Sequence, residues 1–266
     1  MPAERYTLIT GACGGLGGAF CELLASRGEP LYLTGRSESR LQTLCERLRE
    51  RYPALPVKYG VCDLTDGQSR RAFFARADEE GARFSRLIYA AGADIQKAFE
   101  KYDDEKLVFQ TRVNFEGAVS FFRATLARAD LNGNTELLAI GSMSADCPMP
   151  YFALYSASKK ALEQFCIGLR TELKGRAKVT CVLPGSIPTR EDIKANIRAH
   201  GFWTRVSAIP PERVARASLK AVKRNKRTKV IGFWNHIIKF FTDLAPMPVK
   251  LRFVAKRWKK TEKDAF

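Results

Sequence analysis

The chain has 266 residues, of which 45% are hydrophobic and 27% are charged. This composition is typical of a soluble globular domain with a sizeable core, and it excludes a collagen-like or largely disordered chain. No apolar run is long enough to predict a membrane-spanning helix, and no signal peptide is visible before the first glycines.

The formal net charge of +17 is unevenly distributed along the chain. Between Arg213 and Lys260 there are fifteen Lys or Arg residues and a single acid, Asp243, so that this segment carries +14 and the remainder about +3. The basic character therefore belongs to a C-terminal extension. No nucleic-acid recognition motif accompanies it, and we expect no nucleic-acid partner.

The seven cysteines form no Cys-x-x-Cys pair, and several lie in apolar contexts. This usage predicts reduced thiols in a cytoplasmic protein and no metal site.

The first predicted strand, Arg5–Thr10, leads into a glycine-rich turn and then into a helix that runs to Arg27. A strand, a glycine turn and a helix N-terminus together form a phosphate site, because the backbone approaches the pyrophosphate and amide hydrogens point at it. A plain tight turn is the alternative. The residues expected to contact a dinucleotide here are Thr10, Gly11, Gly15, Leu16 and Gly17.

The second predicted strand, Pro30–Thr34, is followed by Arg36, about 20 residues after the glycines. An acid at this point binds the ribose 2′-hydroxyl of NAD, whereas an arginine accommodates a 2′-phosphate. Arg36, assisted by Ser37 and Arg40, thus favours NADP(H) over NAD. The alternative is a solvated arginine at a helix start.

A helix over Ser39–Tyr52 and a strand over Val57–Cys62 come next. Asp63 follows that strand and is placed to read an adenine amino group, while Asp66 is expected to cap a helix.

The fourth predicted strand, Arg86–Tyr89, runs into Ala90, Ala91 and Gly92, whose small size lets a cofactor lie against the backbone. A long helix, Asp104–Ala129, carries Asn114 among apolar neighbours, where its side chain needs a polar partner. An ordinary structural contact is the alternative for Asn114.

Ser142 follows a fifth strand, Leu137–Ile140, and a helix running to Leu173 carries Tyr155 and Lys159. Residues four apart share a helix face, so the ammonium should lower the pKa of the phenol and allow proton exchange near neutral pH. A sixth strand, Lys178–Leu183, ends before Pro184, Gly185 and Thr189.

Alternating strands and helices predict an α/β fold, a Rossmann-type doubly wound parallel sheet in a single domain with a basic amphipathic C-terminal extension. The candidate residues fall at the C-terminal ends of strands, where such sheets bind ligands.

With these motifs in this order, the chain over about Arg5–Ile231 resembles the short-chain dehydrogenase/reductase family. The resemblance rests on the glycine turn, Asp63, Ala90–Gly92, Asn114, Pro184-Gly185 with Thr189, and Ser142 thirteen residues before Tyr155. One departure is Tyr89, where the family usually has an asparagine that braces the central sheet.

The resemblance implies a catalytic tetrad of Asn114, Ser142, Tyr155 and Lys159. Tyr155 would exchange the proton and Lys159 would lower its pKa and hold the nicotinamide ribose. Ser142 would hydrogen-bond the substrate oxygen, and Asn114 would hold a water in a proton relay. Thr189 would contact the nicotinamide carboxamide. Residues 186–210 correspond to a substrate lid, in which Phe202 and Trp203 are candidate pocket residues. The alternative for these two is plain packing.

The stretch Ile140–Ser144, with Pro148, Pro150 and Tyr155, is also similar to long-chain 3-oxoacyl-CoA and steroid reductases. It implies a lipid-like or long-chain acyl substrate. The overall expectation is an NADP(H)-dependent oxidoreductase that interconverts a ketone and a secondary alcohol. The alternatives are a soluble carbonyl reductase for a small substrate and a nucleotide-sensing binding protein without turnover. Self-association as a homo-oligomer is expected from the family.

The last segment, residues 232–266, is expected to form two amphipathic helices separated by Pro246 and Pro248. The first, Phe233–Ala245, has aromatic and aliphatic residues on one side, and the second sets Leu251, Val254, Ala255 and Trp258 in a stripe among cations. Such helices suit an anionic lipid surface, which predicts a peripheral membrane protein. The alternative is that the first helix packs on residues 1–231 or on a partner subunit.

Overall fold

A parallel sheet of seven strands forms the centre of the protein in the computed structural model, which describes residues 4–189 and 206–259 together with residues 262 and 264. The strands are β1 Arg5–Thr10, β2 Leu31–Gly35, β3 Val57–Val61, β4 Arg83–Tyr89, β5 Thr135–Ile140, β6 Ala177–Leu183 and β7 Thr228–Val230. Their order is β3-β2-β1-β4-β5-β6-β7, and each neighbouring pair is parallel.

Helices cover both faces of this sheet. They are α1 Gly15–Ala25, α2 Glu38–Arg51, α3 Gly67–Glu79, α4 Asp104–Thr111, α5 Gly117–Leu126, α6 Ala153–Glu172, α7 Pro211–Lys223, α8 Phe233–Leu244 and α9 Met247–Trp258. Helices α1, α2 and α7 supply the core on one face, and α3, α5 and α6 supply the core on the other. The predicted doubly wound α/β fold is confirmed.

The central parts of the strands are mostly apolar because both sheet faces are covered. On β1, Ile9 points into the core beneath α1 and α2, while Leu8 points into the core beneath α3 and α5, and both are fully buried. Strand β5 is buried at every position. Period-two alternation of side chains thus divides one apolar strand between two cores.

The predicted cap of α3 is confirmed, since the Asp66 carboxylate accepts the amide hydrogens of Gln68 at 2.9 Å and Ser69 at 3.0 Å. Helix α7 begins at Pro211, as its Pro-Pro-Glu start predicts.

Two elements differ from the sequence prediction. The helix predicted as one piece over Asp104–Ala129 ends at Leu126 and is interrupted by a π-helical turn at Arg112–Glu116. Strand β7 was not predicted, because three residues are too few to show a period. The π-helical turn adjoins Tyr89, whose buried hydroxyl donates to the Val113 carbonyl at 2.6 Å.

The described part of the predicted lid is limited to its two ends. Residues 190–205, which include Phe202 and Trp203, lie outside the described residues. All seven cysteines are free thiols, and within the described ranges no group of three His, Cys, Asp or Glu is placed to hold a metal ion.

The two predicted C-terminal helices are present as α8 and α9, and Pro246 lies between them. None of the helices described in the structure combines the length and apolar character required to cross a bilayer.

The hydroxyl of Tyr89 can be tested as the tie between β4 and the π-helical turn. Replacing Tyr89 with Phe leaves the buried Val113 carbonyl without this donor, which costs about 1–3 kcal/mol of the free energy of unfolding. Urea unfolding of Tyr89→Phe measures the loss, with Tyr59→Phe on β3 as a control at a partly exposed tyrosine. Equal stability of the two variants would show that Tyr89 has no such role.

Candidate active site

A cleft of about 1670 Å³ opens at the C-terminal ends of the strands. It spans the point where the strand order reverses between β1 and β4, which is the usual ligand position in open parallel sheets. Of the predicted site residues, Gly11, Gly15, Leu16, Gly17, Arg36, Asp63, Ala90, Ala91, Gly92, Ser142, Tyr155, Lys159, Pro184, Gly185 and Thr189 line this cleft. Thr10 and Asn114 are buried behind its wall.

The turn between β1 and α1 requires glycine at two positions. Gly11 has a φ of +63°, and a methyl group added there would lie 3.0 Å from the Cα of Ala91. A methyl group at Gly17 would lie 2.1 Å from the Gly11 carbonyl oxygen. The backbone of the turn therefore packs closely on the start of α1. The first amides of this helix lie at the cleft, where they can bind an anion.

Thr10 supports the cleft wall from behind. Its Oγ1 accepts the amide hydrogens of Ala90 at 3.1 Å and Ala91 at 3.2 Å. The side chain predicted to touch a cofactor is thus engaged in holding the segment that does line the cleft.

The end of the cleft beyond β2 and β3 carries Arg36 and Asp63. Arg36 is exposed at the rim, and its guanidinium lies 5.1 Å from the ring centre of Phe109 in α4. Asp63 Oδ1 accepts from the amide of Thr65 at 2.8 Å and from its hydroxyl at 2.7 Å. Phe109 was not predicted as a cleft residue, because its place on the cleft side of α4 depends on how that helix packs.

Tyr155, Lys159 and Ser142 meet at the middle of the cleft. Lys159 Nζ is buried, donates to the Ile140 carbonyl at 2.9 Å, and lies 5.7 Å from the ring centre of Tyr155. Ser142 hydrogen-bonds Tyr155, and its Oγ also accepts the Ser144 amide at 3.1 Å. Helix α6 thus presents its phenol and ammonium to a serine at the end of β5.

The predicted direction of the tyrosine pKa is wrong. Burial raises the pKa of Tyr155, the Asp94 carboxylate raises it further, and the hydrogen bond from Ser142 only partly opposes them. Burial also lowers the pKa of Lys159 to about 8, so the cation itself is less favoured than the sequence spacing suggested. Desolvation outweighs the attraction between neighbours in this site.

Asn114 lies in the π-helical turn and finds its polar partner in the backbone of Ala93. Its Nδ2 donates to the Ala93 carbonyl at 2.8 Å and to Ser158 Oγ at 3.0 Å, and its Oδ1 accepts the Ala93 amide at 2.8 Å. A methyl group added at Gly92 would lie 3.2 Å from Lys159 Nζ. Asn114 therefore fixes the loop that passes beside the lysine, and its role in a water relay stays a prediction.

A stack of aromatic rings that was not predicted extends from the tyrosine. The Phe152 ring lies 4.2 Å from that of Tyr155 at an angle of 10°, and the Trp258 ring lies 6.1 Å beyond it. The three-residue spacing from Phe152 to Tyr155 indicates a shared helix face. Only the fold shows that Trp258, near the end of the chain, completes the stack.

The C-terminal helices form part of the cleft wall. Asn235 of α8 is buried and its Nδ2 donates to the Ile231 carbonyl at 2.7 Å. A methyl group at Gly185 would lie 2.7 Å from that nitrogen, so glycine is required for this contact. The cleft residues supplied by these helices are Asn235, Ile237, Ile238, Lys239, Phe241, Thr242, Ala245, Val249, Lys250, Phe253, Val254, Arg257 and Trp258.

Comparisons with known proteins agree with this geometry. The family model for short chain dehydrogenase matches residues 5–200. Sulfoacetaldehyde reductase 2 of Chromohalobacter salexigens is 32% identical over 187 residues, covering 68% of this chain and 72% of the relative. Dehydrogenase/reductase SDR family member 7B of Xenopus tropicalis is 29% identical over 273 residues, covering 98% of this chain and 87% of the relative.

The solved structure of a short-chain dehydrogenase from Sphingobium yanoikuyae in complex with NADPH has a TM-score of 0.76. It is 23% identical and covers 98% of this chain and 100% of that one, which shows a shared fold.

The burial of Lys159 predicts how stability changes with pH. The pKa is about 8 in the folded protein and about 10.4 in an unfolded chain. The folded state therefore binds fewer protons between these values, and raising the pH from 8 to 10 stabilises it by an amount on the order of 2–3 kcal/mol.

Urea unfolding of the cofactor-free protein at pH 7 and pH 10 tests this. As the pH rises, the free energy of unfolding of wild type should increase relative to that of Lys159→Met. Lys160→Met changes an exposed lysine, so its free energy of unfolding should change with pH as that of wild type does. A constant difference between wild type and Lys159→Met would contradict the lowered pKa.

Proposed function

The chain belongs to the short-chain dehydrogenase/reductase family of oxidoreductases, and from this premise we propose that it uses NADP(H) to interconvert a lipid-like ketone and a secondary alcohol. One observation carries the proposal: Ser142, Tyr155 and Lys159 meet in a single cleft between a glycine turn and an apolar wall.

The residues of the cleft fit a dinucleotide. Gly11 and Gly17 flatten the turn at the start of α1, and Ala90–Gly92 leave room along the opposite backbone. A cleft of about 1670 Å³ exceeds the roughly 300–1,000 Å³ usual for one small ligand, which supports binding of a nucleotide and a second molecule together. When bound, the nicotinamide supplies or accepts the hydride.

The proton steps fall to the chain's own residues. Because its pKa is raised, Tyr155 keeps its proton at neutral pH and is in the correct state to donate it to a carbonyl oxygen. The Ser142 hydroxyl hydrogen-bonds the same oxygen and orients it. Lys159, held on the Ile140 carbonyl, supplies a donor beside the ribose and positive charge that favours the phenolate left after donation.

The choice of NADP(H) over NAD(H) rests on Arg36. Its guanidinium is exposed at the rim after β2, where a 2′-phosphate would lie, and its stacking on Phe109 gives it a defined position. The Sphingobium neighbour, which was solved with NADPH, is consistent with this choice.

The apolar character of the substrate rests on the wall opposite the glycine turn. That wall contains Met149, Phe152, Ile237, Ile238, Phe241, Val249, Phe253, Val254 and Trp258. Such a surface gains more free energy from burying a hydrocarbon chain than from burying a small polar ketone. A cytoplasmic protein peripherally bound to a membrane is part of the same proposal, and self-association stays a prediction.

Loss of the phenol tests the chemistry. Tyr155→Phe should lower kcat for NADPH-dependent reduction by about 10²–10⁴-fold, because it removes the proton donor, while NADPH binding persists. The assay uses ketones graded by chain length, and Tyr151→Phe is the matched control. Binding of NADPH without turnover of any ketone by wild type would instead indicate a nucleotide-sensing protein.

Loss of the guanidinium tests the cofactor choice. Arg36→Gln should lower the ratio of kcat/KM for NADPH to that for NADH by about 10–100-fold, since one hydrogen bond to a charged group is lost. Arg71→Gln, at an exposed arginine on α3, should leave the ratio unchanged. A wild-type preference for NADH would refute the role of Arg36.

A further inference from the structure

Two polar contacts hold the inward side of helix α8 to the protein. Among its residues only Asn235 is buried, and Lys239 forms a 2.9 Å ion pair with the buried carboxylate of Asp146. Asn235 and Lys239 are four residues apart and share one face. An amphipathic helix on a protein surface normally turns its apolar residues inward, whereas on α8 only Ile237 and Ile238 are half-buried and the larger apolar residues are exposed.

The largest apolar residues of α8 face outward. Phe233 is 74% exposed, Phe240 is 64% exposed and Leu244 is 73% exposed. These residues are seven and four positions apart, which aligns them in one stripe along the helix. Trp234 and Phe241 are also exposed on the flank of that stripe. Exposed apolar surface of this extent marks a binding site for a protein or a membrane.

Helix α9 extends this surface and adds cations to it. Met247, Val249 and Phe253 are exposed large apolar residues, and Arg252 and Lys256 are exposed between and beside them. The hairpin over residues 233–259 has six Lys or Arg residues and one acid, giving +5. Exposed aromatic residues interleaved with cations are the pattern of a helix that lies in the interface of an anionic bilayer.

The mouth of the cleft opens onto the same surface. Phe241, Val249 and Phe253 are exposed, and all three also line the cleft. The exposed residues of the hairpin and the rings of Phe152 and Trp258, which stack beside Tyr155, therefore line one cleft.

We propose that the α8–α9 hairpin lies in the surface of an anionic membrane and that the cleft opens into this membrane, so that the ketone enters directly from the lipid. Entry of the ketone rests on the function proposed above, whereas membrane contact does not. A second copy of the chain fits this surface poorly, because pairing two hairpins would bring two +5 segments together.

Co-sedimentation of the full-length protein with vesicles tests membrane contact. Wild type should bind vesicles of phosphatidylcholine with phosphatidylserine, bind pure phosphatidylcholine at least tenfold more weakly, and lose affinity as salt is raised. Phe240→Ser with Leu244→Ser, and separately Arg252→Gln with Lys256→Gln, should each weaken binding at least tenfold. None of these four residues lines the cleft.

The control variant carries Val61→Ser and Val108→Ser, two exposed apolar residues on β3 and α4, and should bind as wild type does. Equal binding by wild type and both hairpin variants, or no binding to anionic vesicles, would overturn the proposal. A change from dimer to monomer in Phe240→Ser with Leu244→Ser, without a change in vesicle binding, would overturn it in favour of a second copy.

Activity separates this inference from the proposed function. Phe240→Ser with Leu244→Ser should lower kcat/KM at least tenfold for a long-chain ketone embedded in vesicles and leave it unchanged for a short soluble ketone. Equal loss for both ketones would overturn entry from the lipid. Vesicle binding without turnover of any ketone would overturn the proposed function and leave the membrane contact standing.

Discussion

A single buried ammonium connects the two elements that build the site. Lys159 Nζ donates to the carbonyl of Ile140, the last residue of β5, and so holds helix α6 against that strand. Ser142 follows β5 and Tyr155 lies one turn before Lys159, so this one contact sets the position of the phenol relative to the hydroxyl. Burying a cation is costly, and the lowered pKa of Lys159 reflects that cost. The arrangement is therefore better explained by chemistry than by stability.

Two polar side chains keep the surroundings of that ammonium in place. The Asn114 side chain hydrogen-bonds the amide and the carbonyl of Ala93, and Tyr89 on β4 donates to the Val113 carbonyl. Both contacts converge on the π-helical turn, a feature that recurs at functional sites. At the position where the family resemblance leads one to expect asparagine, Tyr89 ties β4 to the π-helical turn through its hydroxyl.

The C-terminal hairpin, residues 233–259, is rich in Lys and Arg and also forms part of the cleft. Asn235 reaches the backbone at Gly185, Lys239 pairs with Asp146, and Trp258 extends the ring stack from Tyr155. The two alternatives for this segment, packing on the protein and contact with a lipid surface, are therefore compatible. Asn235, Lys239 and Trp258 contact the protein, while Phe233, Phe240 and Leu244 are exposed on the outer side of the hairpin.

Local patterns in the sequence determined the alternation of strands and helices, and with it the doubly wound class. They also determined the glycine turn, the Asp66 cap and the spacing of Ser142, Tyr155 and Lys159. Each of these features depends on residues that are neighbours in the chain. Tertiary structure alone decided the rest. The pKa of Tyr155 moves upward because burial, which no spacing reveals, and the Asp94 carboxylate outweigh the hydrogen bond from Ser142. Phe109, Phe152 and Trp258 meet the site only after distant segments pack, and the outward direction of the α8 stripe follows from Asn235 and Lys239 finding partners elsewhere in the fold. Amphipathic periodicity shows that a helix has two sides, but which side is buried depends on what the rest of the chain offers to each.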